Sequence, residues 1–268
     1  MIDIRNESCL ETMQKLTPKS IDVILTSPFY NTNKKAGQNR TLKNTSVQEG
    51  QYDYVRYDTH VDNMTDEEYC DFTVELFEGF DRVMARDGSV LYNICYGAEN
   101  TAGMFKAVNA VITRTDFTIA DVIVWKKSNA LPNSTSHNRL TRIWEFVFVF
   151  CRKGELKTFR CNKKVKSYRK TGQKAYENVF NYIEAKNNDE SCPFNKATFS
   201  TDLCKKLLSL SMQLETKLRF MTRSWVAAQR QLLVKNSDMT VMGVRFQKTK
   251  SNGLPKDSFV TANHGLSG

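Results

Sequence analysis

Apolar and polar positions along the chain alternate between two periods, and each change of period marks an element. Ile2-Asp3-Ile4 reads as a short strand, and Cys9, Leu10, Met13 and Leu16 fall at helical spacing before Thr17-Pro18 ends the run. Ile21-Asp22-Val23-Ile24-Leu25-Thr26 is rich in β-branched residues and predicts a buried parallel strand that stops at Ser27-Pro28. Thr65-Asp66-Glu67-Glu68 has the form of a capping box, and Tyr69, Phe72, Leu76 and Phe80 continue one apolar helix face to about Met84. Arg86-Asp87-Gly88 predicts a turn into the strand Ser89-Val90-Leu91-Tyr92-Asn93-Ile94. A helix over residues 101–113 and strands over Ala120–Trp125 and Ile143–Phe150 follow, with a last helix over Leu203–Ser211. Strands and helices in this order predict an α/β fold built on an open, mostly parallel sheet.

Two stretches fall outside that alternation. Residues 31–62 are polar and read as a long loop, a length that is usually functional or disordered. From Arg152 to Glu177 there are ten Lys or Arg against two Glu, with Phe159, Tyr168 and Tyr176 among them. A solvated basic face explains this stretch as well as backbone-phosphate contact does. The net charge of +10 raises the second reading, because it suits a polyanionic partner. At 40% hydrophobic and 11% aromatic, the 268 residues suffice for a packed core. The longest apolar run, Trp144–Phe150, is far shorter than the roughly 20 residues of a membrane helix. Asp3, Arg5 and Glu7 argue against a signal peptide. The seven cysteines have no C-x-x-C spacing, which points to a reducing cytosol and away from a disulfide framework or structural zinc; three histidines leave little for a His-based metal site.

The candidate chemistry sits where the strand Ile21–Thr26 ends. Ser27-Pro28-Phe29-Tyr30 places a proline-stiffened turn at the carboxyl edge of the sheet, where open α/β folds put their ligands. Proline lacks a backbone donor and leaves carbonyls pointing outward. A Ser hydroxyl and a carbonyl can accept from a planar amino group while an aromatic ring stacks on the ring that carries it. Cys95 is a poor nucleophile candidate, since no His lies near it in sequence. Trp144-Glu145 reads equally well as a sheet-edge aromatic with a solvent-facing acid, and Tyr92 and Trp125 read as core.

Taken in order, Thr26-Ser27-Pro28-Phe29-Tyr30-Asn31, the polar loop, Asp81–Gly88, Val124-Trp125-Lys126-Lys127 and Ile143-Trp144-Glu145 resemble the permuted β-group of DNA amino-methyltransferases. The resemblance covers roughly residues 1–213. It implies a Rossmann-like methyltransferase sheet, S-adenosylmethionine as cofactor, and methyl transfer to cytosine N4 or adenine N6 of double-stranded DNA, as in restriction–modification. It also implies the cytoplasm of a prokaryotic cell or its phage. Ser27, Pro28, Phe29 and Tyr30 would be catalytic, with Ser27 and the Pro28 carbonyl holding the amine and Phe29 or Tyr30 stacking on a flipped base. Thr26, Asn195, Ala197, Thr198 and Phe199 would line the cofactor site. The family usually carries a second proline where this chain has Phe29. Implied segments are a catalytic part at 1–151, a basic target-recognition segment at 152–190, the start of the cofactor-binding part at 191–213, and an atypical tail at 214–268.

In that tail the resemblance breaks down. The family motif Asp-Pro-Phe-x-Gly-Ser-Gly-Thr-Thr is missing, and residues 214–268 contain no Gly-x-Gly. The genetic code offers a reason. Regrouped from the third base of each codon, Met221-Thr222 forces GAC, an Asp, and Trp225-Val226 forces GGT, a Gly. The codons between and after them permit Asp-Pro-Phe-Met-Gly-Ser-Gly-Thr-Thr-Ala. Further on, Met239-Thr240 forces Asp and Met242-Gly243 forces Gly, and their neighbours permit Tyr-Gly-Cys-Glu-Ile-Ser. The tail from about Leu214 therefore reads as out of frame. The expected consequences are a sheet incomplete at its C-terminal strands and weak or absent cofactor binding. A non-catalytic DNA-binding remnant, or a frameshifted product without function, is the competing reading.

Overall fold

A computed structural model of the chain describes residues 2–5, 8–31, 64–97, 100–130, 137–138, 140–158, 162–187, 199–211, 219–222 and 240–244. The polar loop of residues 31–62 lies outside them except for Asn31. In chain order the elements are β1 (Ile2–Arg5), α1 (Cys9–Lys15), β2 (Ile21–Thr26), α2 (Asp66–Val83), β3 (Met84–Ile94), α3 (Gly103–Arg114), β4 (Phe117–Lys127) and β5 (Trp144–Arg152). After them come a 3-10 turn (Lys153–Glu155), β6 (Val165–Tyr168), β7 (Lys174–Tyr176), β8 (Tyr182–Ala185), α4 (Thr201–Ser211), β9 (Arg219–Thr222) and β10 (Thr240–Val244).

Eight strands form one sheet in the order β1-β10-β9-β2-β3-β5-β4-β8, and β6-β7 is a separate hairpin. Successive residues of a strand point to opposite faces, so the apolar runs feed two cores. Ile21, Ile24, Tyr92, Phe148 and Phe150 pack under α1, α2 and α3. Val23, Leu25, Leu91, Trp125 and Val147 pack under α4 through Leu203, Cys204, Leu207 and Leu208. The capping box predicted at Thr65 is present: Thr65 Oγ1 accepts from the Glu68 amide, and the Glu68 carboxylate accepts from the Thr65 amide at 2.8 Å.

Three sequence expectations are modified. Among the described residues no helix lies between β4 and β5, and β5 runs antiparallel to both β3 and β4. The sheet stays mostly parallel through its other pairings. Arg86-Asp87-Gly88 is not a turn; β3 runs through it, and the pairing with β2 shifts register between Ile21↔Met84 and Val23↔Ser89. Gly88 serves close packing there, since a Cβ would stand 2.8 Å from the Asp22 carbonyl oxygen. The irregular stretch is held by buried Arg152, whose guanidinium donates to the carbonyls of Asp81, Met84, Ala85 and Arg86 at 2.7–3.0 Å and to the Asp81 carboxylate. Finally, β2 does not lack a neighbour on its far side: the short β9 pairs with it in parallel, and β10 joins β9 to β1. These two short strands are what the C-terminal segment contributes among the described residues.

Candidate active site at the carboxyl edge of the sheet

The strands β2, β3 and β4 all end at one edge, and β5, being antiparallel, begins there. Thr26, the last residue of β2, is buried, and Ser27-Pro28-Phe29-Tyr30 turns over the edge immediately after it. Asn31 ends the turn at φ 48°, a left-handed conformation that asparagine tolerates better than most residues. Its carbonyl accepts from Asn100 Nδ2 at 3.2 Å, and its own Nδ2 donates to the Met64 carbonyl at 2.9 Å. Asn100 in turn bonds Asp66, which pairs with Lys106, so the turn is moored to the starts of both α2 and α3. Lys106 and Asn100 hold the Asp66 carboxyl below its usual range.

Phe29 does not face a ligand. Its ring is 7% exposed and packs against Tyr69 and Phe72 with centroids 5.3 and 5.2 Å away, while its carbonyl accepts from Tyr69 Oη at 2.5 Å. The expectation that Phe29 stacks on a base is therefore corrected. With a large ring where the family has proline, the turn is anchored by core burial instead. Removing the Tyr69 hydroxyl strands a buried carbonyl, so Tyr69→Phe should lower the unfolding free energy by about 1–3 kcal/mol. A urea-melt midpoint unchanged from wild type would show that Tyr69 does not fix the turn.

Tyr30 is partly buried against the same core, and its hydroxyl is the centre of a polar cluster. Ser27 Oγ donates to Tyr30 Oη at 3.2 Å, and Tyr30 Oη lies 2.8 Å from both Asn93 Oδ1 and Glu145 Oε2. Asn93 Nδ2 donates to the Phe146 carbonyl at 3.0 Å. The second oxygen of Glu145 is paired with Lys127, whose ammonium also lies 5.2 Å from the centre of the Trp125 ring. Burial, and after it the Glu145 carboxylate, raise the Tyr30 phenol well above its ordinary range. The same two causes push the Cys95 thiol up to about 11, which removes it as a nucleophile. Glu145 is only 8% exposed, so it is not a solvent-facing acid; Tyr92 and Trp125 are core, as their patterns imply.

Sequence reasoning passed over Asn93 and Lys127. The available signal was a polar side chain at the end of an apolar strand, as in Leu91-Tyr92-Asn93-Ile94, with nothing local to satisfy it. On the other side of the edge, Asn195, Ala197 and Thr198 lie outside the described residues. Phe199 is buried edge-on against Trp125 beneath α4, with centroids 6.4 Å apart, and its ring is part of that core. The end of β9 reaches the same edge as Ser27, but the residues after it in sequence, Arg223-Ser224-Trp225-Val226, include no glycine. Residues 223–226 themselves lie outside the described residues.

Among the described residues no helix is long and apolar enough to cross a membrane. No curated protein matches the chain in sequence. Solved structures do match it in fold. PvuII DNA methyltransferase (cytosine-N4-specific) is similar with a TM-score of 0.61 at 13% identity, over 92% of this chain and 84% of that one. The M1.HpyAVI–SAM complex is similar at 0.54 and 16% identity, over 92% and 95%. A putative DNA modification methylase of Thermus thermophilus, complexed with S-adenosyl-L-methionine, gives 0.54 at 10% identity, over 91% and 88%. A family model of the N6/N4 type, described as DNA methylase, matches residues 21–241, from the first residue of β2 into β10, and the chain belongs to that family.

Proposed function

We propose that this chain is built to hold the exocyclic amine of cytosine (N4) or adenine (N6), flipped from double-stranded DNA, for methylation by S-adenosylmethionine in the cytoplasm of a prokaryotic cell. The supporting observation is the turn Ser27–Tyr30, moored to α2 and α3 and polar on the side away from the core. Ser27 Oγ and the Pro28 carbonyl accept the amine hydrogens, and the Tyr30 ring, with Phe29 withdrawn into the core, stacks on the base. The methyl donor would lie beyond Thr26 towards Asn195, Ala197 and Thr198; Phe199 would serve as a wall of that region from within the core.

The donor half is another matter. The sequence after β9, Arg223-Ser224-Trp225-Val226, carries no glycine where a cofactor-cradling turn needs one, and we propose that the segment from about Leu214 is translated out of frame. Support comes from position. The forced Asp falls at the Met221-Thr222 junction, the carboxyl end of β9, and the second forced Gly falls at Met242-Gly243 within β10. Of these strands β9 pairs with β2, and β10 pairs with β9. The gene's nucleotide sequence over codons 205–260 tests this directly: codons Met221–Gln231 that do not regroup to Asp-Pro-Phe-Met-Gly-Ser-Gly-Thr-Thr-Ala end the proposal. Labelled methyl transfer onto unmethylated DNA, by this chain and by one made in the regrouped frame, tests the activity.

DNA contact is assigned to the β6–β7 hairpin. It carries Lys164, Lys166, Arg169, Lys170 and Lys174, reverses at Gly172 with φ 80°, and exposes Tyr168 and Tyr176. A two-stranded ribbon of this kind fits the major groove. Replacing Lys166, Arg169 and Lys170 with alanine should weaken DNA binding and flatten its salt dependence by about one unit of log-log slope per lost phosphate contact. An unchanged slope would place the DNA elsewhere.

A further inference from the structure

The polar cluster around Tyr30 has a direction that the amine-holding reading does not by itself require. Tyr30 Oη has a single proton and three oxygen neighbours. Two of them can only accept: Glu145 Oε2 belongs to a carboxylate, and Asn93 presents Oδ1 because its Nδ2 is committed to the Phe146 carbonyl. The phenol proton therefore goes to that side, and Tyr30 Oη is left to accept from Ser27 Oγ at 3.2 Å. With its own proton drawn towards Tyr30, the Ser27 oxygen meets any further N–H as an acceptor. An aromatic amine offers two N–H donors, so this polarity is the one that suits it.

We infer that Glu145 is a positioning residue that sets Ser27 as the hydrogen-bond acceptor for the substrate amine, acting through the Tyr30 hydroxyl. The inference rests on the proposed amine-holding role of the turn. Asn93 alone does not secure the direction once Glu145 is a neutral amide, because a glutamine at that place can donate to Tyr30 Oη and release its proton towards Ser27. Lys127 on β4 holds the other oxygen of Glu145, which fixes the carboxylate against the turn. Among the described residues the other titratable or charged groups near the cluster are Cys95, whose Sγ donates to the Trp144 carbonyl at 3.6 Å, and Arg142, which lies over the Tyr96 ring. Neither is hydrogen-bonded to Tyr30 Oη.

The polarity predicts shifts of opposite sign, which a merely structural role for Glu145 does not. The full chain is made with ring-fluorinated tyrosine, whose phenol ionises nearer neutrality, and the Tyr30 signal is followed by fluorine NMR and assigned by its loss in Tyr30→Phe. Glu145→Gln should lower the pH of Tyr30 ionisation by about 1 pH unit, because a negative neighbour is removed. Ser27→Ala should raise it, because the phenolate loses a donor. Glu145→Asp, which keeps the charge, should stay near wild type and covers the case in which the glutamine variant fails to fold, as seen by circular dichroism. Shifts of the same sign, or no shift in either the Gln or the Asp variant relative to each other, overturn the inference. Labelled methyl transfer to unmethylated DNA, by the chain made in the regrouped frame with and without Ser27→Ala, reads the underlying role separately. Opposite shifts with transfer that survives Ser27→Ala would keep the hydrogen-bond direction but remove both the amine-holding reading and the role assigned to Glu145.

Discussion

Titration calorimetry of this chain with S-adenosylmethionine is expected to show no binding in the micromolar range. Micromolar affinity corresponds to about −8.2 kcal/mol, and a small ligand reaches it only in a site that is largely formed beforehand. The turn from Ser27 to Asn31 is held in place beside Thr26, and on the proposed reading β9, which ends at Thr222, delivers the donor side. The sequence that follows, Arg223-Ser224-Trp225-Val226, carries no glycine, the residue that lets backbone approach a ligand closely. A chain made from the regrouped frame, with Gly-Ser-Gly after the same strand, should regain binding. A micromolar Kd for the present chain would overturn this expectation and the frame argument behind it.

Arg152→Met should destabilise the chain by about 3–5 kcal/mol, the cost of breaking a buried charged network on one side only. The carbonyls of Met84, Ala85 and Arg86 accept from this guanidinium, which lies at the end of β5, and so does that of Asp81 at the end of α2, which Lys19 Nζ also reaches at 2.7 Å. The first three belong to the stretch where β3 slips register against β2, so they lack regular ladder bonds to fall back on. The Asp81 carboxylate matters less, because its side chain is 44% exposed and its pairing with Arg152 is weakened by solvent. Guanidinium melts should therefore show a much smaller loss for Asp81→Asn than for Arg152→Met. Equal losses would mean that the ion pair, and not the carbonyl cradle, holds the segment.

Much of this architecture is legible in the sequence because it is local. The β-branched run at Ile21–Thr26, the capping box at Thr65 and the apolar face of α2 each declare themselves within a few residues. What was not legible is set by partners far away in sequence. Gly88 reads as turn chemistry until the Asp22 carbonyl is known to pass beneath it. The direction of β5 is set by its pairing with β3 and β4, which its own apolar run does not encode. Glu145 looks like a rim acid because its partners, Tyr30, Lys127 and the neighbouring Asn93, come from three other elements. Phe29 shows the same limit from the opposite side. Its motif position suggests a ligand contact, and only the placement of Tyr69 and Phe72 on α2 reveals that it is core.

The strand order carries a consequence for synthesis. Among the described strands β1 has one neighbour, β10, with Ile2 opposite Val241, so β1 waits for a strand made far later. The block from β2 to β8 can close while the chain is still emerging, since its pairings join segments already made. The N-terminal strand cannot, and the wait is the longest loop closure the topology allows. A substitution in β10 is thus felt at β1, more than two hundred residues upstream.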